Sequence, residues 1–215
     1  MKRVAILQSN YIPWKGYFDL INIADEFILY DDMQYTKRDW RNRNKIQTPN
    51  GLQWLSIPVM VKGKYFQKIS NTKISDNSWG KKHWAVLKQN YSKAAYFKVY
   101  KDIFEELYLN NKDEYLSQVN YKFICAIKQI LGISTKVRWS SDFDLADGQS
   151  EKLLGICKDC DADIYLSGPA AKDYLDENIF MRNKIKIEWM TYNNYPEYKQ
   201  LFEPFDHGVT ILDLI

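Results

Sequence analysis

The stretches Arg3-Val-Ala-Ile-Leu7 and Glu26-Phe-Ile-Leu-Tyr30 decide the fold that the sequence predicts. Short uninterrupted apolar runs of this kind are typical of parallel strands buried on both faces of a sheet. Between them, Pro13 and Gly16 indicate a turn, and residues 18–24 carry apolar side chains at helical spacing. The opening therefore predicts a strand, a loop, a helix and a second strand, joined by a right-handed crossover.

The middle of the chain predicts helices only. Apolar side chains recur at helical spacing over residues 78–93, 100–109 and 114–131. Gly132 is suited to end the last of these helices, because glycine adopts the left-handed C-cap conformation without strain. Residues 78–132 are therefore expected to form a helical subdomain.

Strand patterns flank this helical region on both sides. Before it, Thr48-Pro-Asn-Gly51 predicts the turn of a hairpin whose second strand reaches Pro58. After it come strands over 135–139, 163–167 and 184–190 and a helix over 151–159. We expect one domain, residues 1–215, of the α/β class, in which 1–61 and 133–215 form a Rossmann-like sheet with a parallel core.

The composition indicates a packed protein without a strong overall charge. The 215 residues are 46% hydrophobic, and 30 Lys and Arg against 27 Asp and Glu give a net charge of +3. This balance gives no reason to expect a basic coat for nucleic acid, although it leaves room for a local basic patch that meets phosphates. No apolar run approaches the roughly 18 residues of a membrane span, and no signal sequence is evident. We expect a cytoplasmic protein with no membrane partner.

The three cysteines do not predict a redox or metal centre. Cys157 and Cys160 have C-x-x-C spacing but lie inside a predicted helix, and Cys125 is remote from them. A redox motif places its first cysteine at a helix start, and a zinc site needs a second ligand pair. The sequence therefore predicts buried or incidental thiols, with no structural metal and no tightly bound cofactor.

The most unusual stretch is Asp31–Asn44, which follows the second strand. It holds three carboxylates, four cations and two large aromatic rings with almost no aliphatic side chain. Loops that follow parallel strands emerge at the same edge of a sheet, so Asp31–Asn44 should face Gln8–Tyr17. Ser167–Tyr174 follows a later strand and should lie beside them. These three loops predict one binding cleft.

Asp31 and Asp32 are the first candidates for catalysis in that cleft. Paired carboxylates hold Mg²⁺, or one acts as a general base when the other raises its pKa. The alternative is that they form salt bridges with Lys37, Arg38 or Arg41. No third acidic ligand is evident, so metal binding is the weaker of the two functional roles.

The rest of the cleft combines cations with aromatic rings, as a nucleotide or nucleotide-linked sugar requires. Guanidinium groups bind phosphates in a bidentate manner, and rings stack on bases or sugars. The alternative is a solvated, charged loop. The predicted substrate-binding residues are Gln8, Asn10, Trp14, Tyr17, Tyr35, Lys37, Asp39, Trp40, Arg41, Arg43, Asn44, Ser167, Gly168, Lys172 and Tyr174.

His83 is the third candidate for catalysis, as a general base or a phosphate ligand. Helical spacing places it on one stripe with Trp79, Leu87 and Tyr91, and this is the face that a helix buries. A structural, inward-facing histidine is therefore the alternative. His207, near the C-terminus, is expected to be structural.

Several of these motifs together resemble the WbqC-like family. The resemblance rests on Gln8–Asp19, Asp31–Asn44, the Trp79/His83 helix, Tyr165-Leu-Ser-Gly168 with Tyr174-Leu, and the closing Ile211-Leu-Asp-Leu-Ile215. It covers the whole chain, with Ser9 standing where the family has proline. It implies a place in the synthesis of O-antigen and other surface polysaccharides, as a glycine transferase that acylates an amino sugar.

The opening is also similar to the nucleotide-binding region of nucleotidylyltransferases and pantothenate synthetases. Trp14 and Tyr17 stand where those enzymes have the histidines that stabilise a transferring adenylyl phosphate. The likeness therefore implies a shared fold and argues against ATP-dependent adenylation.

The expected function is N-acyl transfer, glycyl transfer above all, onto the amino group of a nucleotide-linked deoxyamino sugar. Amide formation needs a neutral amine, hence a base such as Asp31, Asp32 or His83. The sequence leaves open whether the acyl donor is a thioester carrier, an aminoacyl-tRNA or an adenylate. The alternative is a non-catalytic module that binds a nucleotide sugar or nucleic acid in polysaccharide assembly or its regulation.

Overall fold

The strands of the computed structural model form one parallel sheet and one antiparallel hairpin, and the structure describes all 215 residues. The seven strands are β1 (Arg3–Leu7), β2 (Glu26–Leu29), β3 (Arg43–Thr48), β4 (Gly51–Ser56), β5 (Lys136–Trp139), β6 (Ile164–Ser167) and β7 (Lys186–Trp189). The six α-helices are α1 (Lys15–Ile23), α2 (Trp79–Tyr91), α3 (Phe97–Leu109), α4 (Leu116–Ile130), α5 (Gln149–Asp159) and α6 (Glu177–Arg182). Short 3₁₀ helices span Ser140–Asp142, Pro169–Asp173 and Ile211–Asp213.

The chain divides into two units, each assembled from several segments. The sheet unit comprises residues 1–8, 16–33 and 131–195. The helical unit comprises residues 9–15, 34–130 and 196–215. It includes the hairpin as well as α2, α3 and α4.

The sheet has the strand order β5-β2-β1-β6-β7, and all of its neighbouring strands are parallel. The predicted α/β fold with a parallel core is therefore confirmed. The chain adds β2 and β5 on one side of β1 and then returns to add β6 and β7 on the other. In sheets of this kind, ligands bind at the carboxyl ends of the strands where the direction reverses, here β1 and β6.

Burial explains why the two opening stretches form strands in the middle of this sheet. Val4 and Ala5 of β1 and Phe27 and Ile28 of β2 are fully buried, as expected for strands covered on both faces. Burying a large apolar side chain contributes roughly 1.5–3 kcal/mol. An inward-facing polar residue at these positions would therefore oppose the parallel pairing directly.

The hairpin of the helical unit forms at the predicted turn. β3 and β4 pair in antiparallel register from Arg43 opposite Ser56 to Thr48 opposite Gly51. Gly51 has a φ of +93°, which glycine adopts at no steric cost, and the Thr48 hydroxyl donates to its carbonyl at 2.7 Å. The paired strand begins at Arg43, so the polar stretch from Asp31 to Asn44 ends inside a strand.

The loop after Ser167 is partly helical in the structure. A 3₁₀ helix begins at Pro169, whose missing N–H is no loss at a helix start, and α6 begins only at Glu177. The start of α6 is fixed by Asp176, whose side chain accepts a hydrogen bond from the Asn178 N–H at 2.9 Å. The sequence signal for this N-cap was present, because aspartate is among the preferred capping residues.

None of the helices combines the length and the apolar character that crossing a membrane requires.

Candidate functional site

A cavity of about 360 Å³ lies in the helical unit. It is lined by Asn10, Pro13, Trp14, Trp40, Asn44, Lys45 and Gly208. Four of these residues, Asn10, Trp14, Trp40 and Asn44, belong to the substrate-binding set predicted from sequence. The volume lies within the range of small-ligand sites, and the wall offers two indole rings, two amides and one ammonium group.

Asn44 holds the wall of the cavity in place. Its side chain is only 2% exposed, and its Nδ2 donates to the carbonyls of Tyr11 at 3.2 Å and Ile12 at 2.8 Å. The Thr210 hydroxyl also donates to the Ile12 carbonyl, at 2.7 Å. Ile12 has a φ of +37°, which is strained for a β-branched residue. These hydrogen bonds hold the strained backbone directly beside Pro13 and Trp14.

The loops 9–15 and 34–44 meet in this unit, which the cleft prediction required of them. The Tyr11 N–H donates to the Trp40 carbonyl at 3.1 Å. Arg41 donates to the side-chain oxygen of Asn10 and lies 3.6 Å from a carboxylate oxygen of Asp39. Three predicted binding residues are thus fixed against one another before any ligand arrives, which lowers the entropic cost of binding.

Two aromatic rings and a guanidinium group form a stack beside the cavity. The rings of Trp40 and Trp54 have centroids 5.4 Å apart and are tilted by 38°. The Arg43 guanidinium lies over the Trp54 ring, 4.1 Å from its centroid, a cation–π geometry. Arg43 also donates to the Arg38 carbonyl. Trp54 was not predicted as a binding residue, although it lies on the same face of β4 as Leu52.

Two lysine side chains at or next to the cavity were also not predicted as site residues. The Nζ of Lys15 lies 2.5 Å from Nδ1 of His207, and the Nζ of Lys45 lies 3.4 Å from a carboxylate oxygen of Asp206. Burial lowers the pKa of Lys15, while Asp213 acts in the opposite direction. Lys45 was signalled by its place directly after Asn44, but nothing in the sequence connects Lys15 with residues 206–208.

Tyr35 and Lys37, both in the predicted binding set, are placed differently from each other. Tyr35 is buried, its N–H donates to the Gln67 carbonyl at 2.9 Å, and burial raises its pKa to about 12. Lys37 is exposed. Tyr35 therefore supports the loop from beneath, and Lys37 is presented to solvent.

His83 lies in an aromatic cluster with Tyr11, Trp79, Tyr108 and Phe123. Its Nδ1 is 2.8 Å from the Tyr11 hydroxyl, which in turn is 2.9 Å from the Tyr108 hydroxyl. Burial lowers the pKa of His83 to about 4, although a hydrogen bond with the Ser56 backbone acts to raise it. The ring is therefore neutral at physiological pH and engaged with Tyr11, an arrangement that favours the structural alternative.

The other predicted residues lie in the sheet unit, at or after the carboxyl ends of its strands. Asp31 is buried after β2, and Asp32 accepts a hydrogen bond from the Ser140 hydroxyl at 2.7 Å. Gln8 follows β1, and its carbonyl accepts from the Tyr17 hydroxyl at 3.1 Å. Asp32 is thus held by a polar group of its own unit, and the roles of both carboxylates remain predictions.

Ser167 ends β6, the strand that pairs with β1 where the sheet reverses direction. Its hydroxyl lies 3.4 Å from that of Tyr165. A side chain at Gly168 would meet the Tyr192 hydroxyl at 3.6 Å, an ordinary contact. Lys172 lies over the Trp189 ring at 5.3 Å, and Tyr174 is about half exposed. Ser167 therefore lies at the reversal point of the sheet, the usual ligand position in such folds.

The cysteines and acidic groups do not assemble into a metal cluster. No three His, Cys, Asp or Glu side chains lie together in a geometry suited to a metal ion. Cys157 and Cys160 are buried, and burial raises the pKa of Cys160 to about 11. Both thiols are therefore protonated and unreactive at neutral pH.

Comparison with known proteins places the chain in a family. The model of the WbqC-like protein family matches residues 8–215. The uncharacterized protein Rv1507c of Mycobacterium tuberculosis is 51% identical over the whole chain, which covers 93% of that relative. No solved structure matches. The chain therefore belongs to the WbqC-like protein family.

Proposed function

We propose that the protein transfers an acyl group, an aminoacyl group such as glycyl above all, onto the amino group of a nucleotide-linked deoxyamino sugar used for surface polysaccharide. The observation that carries this proposal is the cavity of the helical unit, in which four predicted binding residues meet. Its combination of indole rings, amides and an ammonium group suits a sugar that carries phosphate.

Each wall of the cavity has a part in binding the sugar nucleotide. The indole rings of Trp14 and Trp40 stack on the sugar or the base, while Asn10 donates to or accepts from its hydroxyl groups. Lys45 places a positive charge in the wall, and Arg41 is held nearby by Asn10 and Asp39. These cations neutralise phosphate oxygens, which fixes the sugar relative to the rings.

The acceptor amine must lose a proton before it attacks the acyl carbonyl. Asp31, Asp32 and His83 were predicted for this role, and the Lys15–His207 pair is a further candidate because Lys15 adjoins Trp14 and His207 adjoins Gly208. With a pKa of about 4, His83 is a weak base at neutral pH. Burial lowers the pKa of Lys15 from its usual value, while Asp213 acts in the opposite direction.

Thermal shift with a panel of dTDP- and UDP-linked amino sugars tests the acceptor. Specific binding stabilises the folded state, so one amino sugar should raise the unfolding midpoint while its analogue without the amino group should not. Trp14→Ala should abolish the rise. Tyr96→Ala serves as its control, because Tyr96 is an exposed ring of the same unit that does not line the cavity. If no sugar of the panel raised the unfolding midpoint, the proposal would be contradicted.

A non-catalytic binding module is the second candidate, and the neutral, engaged state of His83 favours it. Turnover separates the two. A transferase should lose amide formation in at least one of Asp31→Asn, Asp32→Asn, His83→Gln and Lys15→Met while still binding the sugar. A binding module should show no amide product in any form of the protein, including the wild type.

A further inference from the structure

The hairpin and the two loops beside it present rings and cations on one stretch of surface. We call this stretch the hairpin surface and define it as the exposed parts of residues 34–68. Trp40 and Trp54 are 43% and 42% exposed. Tyr65 and Phe66 are exposed and pack edge to face with centroids 4.9 Å apart.

The segment is continuous in the structure as well as in the sequence. The Gln34 side chain donates to the Tyr65 carbonyl at 2.8 Å, and Gln34 forms a β-bridge with Lys68. The Gln67 side chain donates to the Met60 carbonyl at 2.8 Å. These bonds hold the turn around Tyr65 to the loop that begins the segment.

The charge of residues 34–68 is very different from that of the whole protein, although Lys45 is paired with Asp206 from outside the segment. Residues 34–68 hold eight Lys and Arg side chains against one carboxylate, Asp39, whereas the whole chain has a net charge of +3. The remainder of the chain is therefore net negative. The cations are Lys37, Arg38, Arg41, Arg43, Lys45, Lys62, Lys64 and Lys68. A concentration of this kind attracts a polyanion.

Exposed rings among cations distinguish single-stranded nucleic acid from other polyanions. An unpaired base stacks on an aromatic ring while Lys and Arg track the phosphates beside it, and such stacking tolerates any base. The tilted Trp40–Trp54 pair, with Arg43 over one ring, has the composition of such a platform. An acidic protein surface would use the cations but leave the rings without a flat partner.

We propose that the hairpin surface binds the single-stranded end of an RNA. Trp40 lines the cavity and packs against Trp54, so a terminal nucleotide bound at Trp54 lies beside the proposed acceptor site. Given the proposed function, on which this step rests, the RNA carries the acyl group as an aminoacyl ester. The amine nitrogen bonds to the ester carbonyl carbon, the bond from that carbon to the ribose oxygen breaks, and the proton that the amine loses goes to the ribose oxygen, which leaves as a hydroxyl.

Fluorescence anisotropy with a short labelled RNA ending in CCA tests the binding without any sugar. The affinity should fall with salt, with a slope of log K against log salt of about −0.7 for each phosphate contact. A duplex of the same length should bind more weakly, because its bases are already stacked. Trp54→Ala should weaken binding about tenfold, and Trp54→Phe, which retains a ring, should restore much of it.

Matched substitutions outside the hairpin surface provide the controls. Tyr96→Ala removes an exposed ring of the same unit, and Lys81→Ala with Lys98→Ala removes two exposed cations. They should leave RNA affinity unchanged, whereas Lys62→Ala with Lys64→Ala should make the salt slope shallower. The proposal would be overturned if no RNA binding were measurable at low salt, or if Trp54→Ala left the RNA affinity unchanged. If RNA does not bind, the thermal shifts with amino sugars are still expected. If no sugar raises the unfolding midpoint, the RNA titration still tests RNA binding.

Discussion

His83 shows how one residue's surroundings decide what it can do. Its ring contacts three aromatic side chains, Lys82 lies beside it in sequence, and its Nδ1 is hydrogen-bonded to the Tyr11 hydroxyl. The sequence placed it on the buried stripe of α2 but could not show that Tyr11 and Tyr108, from two distant segments, complete a hydrogen-bonded chain with it. Its pKa follows from that enclosure.

The first prediction concerns acid stability. The pKa of His83 is lowered to about 4 from its usual 6.5, so the unfolded chain binds a proton that the folded one does not between those values. The stabilisation that neutral His83 gives the folded state is fully present above pH 6.5. It falls by about 3 kcal/mol as the pH drops to 4 and below. Urea denaturation from pH 7 to 4 should show a smaller loss for His83→Gln than for the wild type. Equal losses would show that His83 titrates normally in the folded protein.

At the scale of elements, the parallel sheet is held at one end by a carboxylate. Glu26 begins β2 with a side chain only 6% exposed, and its oxygens lie 2.9 Å from Lys2 and 3.2 Å from Arg138 of β5. Burial alone would raise the pKa of Glu26, but the hydrogen bonds from Lys2 and Arg138 outweigh it, and the pKa is lowered. The carboxylate therefore links β5 and the segment before β1 through β2.

The second prediction compares this buried carboxylate with an exposed one. Glu26→Gln should lower the free energy of unfolding by about 2 kcal/mol, less than for a fully buried pair because Lys2 is partly exposed. Glu114→Gln breaks a 3.0 Å pair with Lys73 whose carboxylate is 72% exposed, and should leave the free energy of unfolding almost unchanged because solvent screens the pair. Urea denaturation at pH 7 measures both. Because the pKa of Glu26 is lowered, its contribution should fade below about pH 4.

At the scale of the whole molecule, the reactivity of the cysteine thiols measures how readily the folded chain unfolds. Cys157 and Cys160 are buried under the sheet in the cluster formed with Val4, Tyr165 and Phe180. Cys125 of α4 is only partly buried. Burial of the first two also raises their pKa values, so neither thiol ionises at neutral pH.

The third prediction is that these thiols react only when the sheet unit opens. In Cys125→Ser, labelling by a thiol reagent at pH 7 should proceed no faster than unfolding permits, and urea below the transition should accelerate it. In Cys157→Ala with Cys160→Ala, the remaining Cys125 should react faster. Rapid labelling of Cys157 or Cys160 in the folded protein would contradict the burial that the structure gives them.

The sequence by itself determined the α/β class, the strands β1 and β2, the hairpin turn and the three helices between Trp79 and Ile130. These follow from local rules: side-chain periodicity, buried apolar runs, and the turn preferences of Pro and Gly. It also marked Asn10, Trp14, Trp40 and Asn44, because polar and aromatic loops directly after buried parallel strands are where such folds bind ligands.

Only the tertiary structure decided how the marked residues are grouped. It placed Tyr35 beneath its loop, gave the cavity Lys45 and Gly208, and joined Lys15 to His207 across 192 positions of the chain. It also divided the predicted residues between the two units, with Asp31 and Ser167 in one and Asn10 and Trp40 in the other. The physical reason is that cavities and hydrogen bonds form between segments remote in sequence, whereas periodicity records only the neighbours along one element.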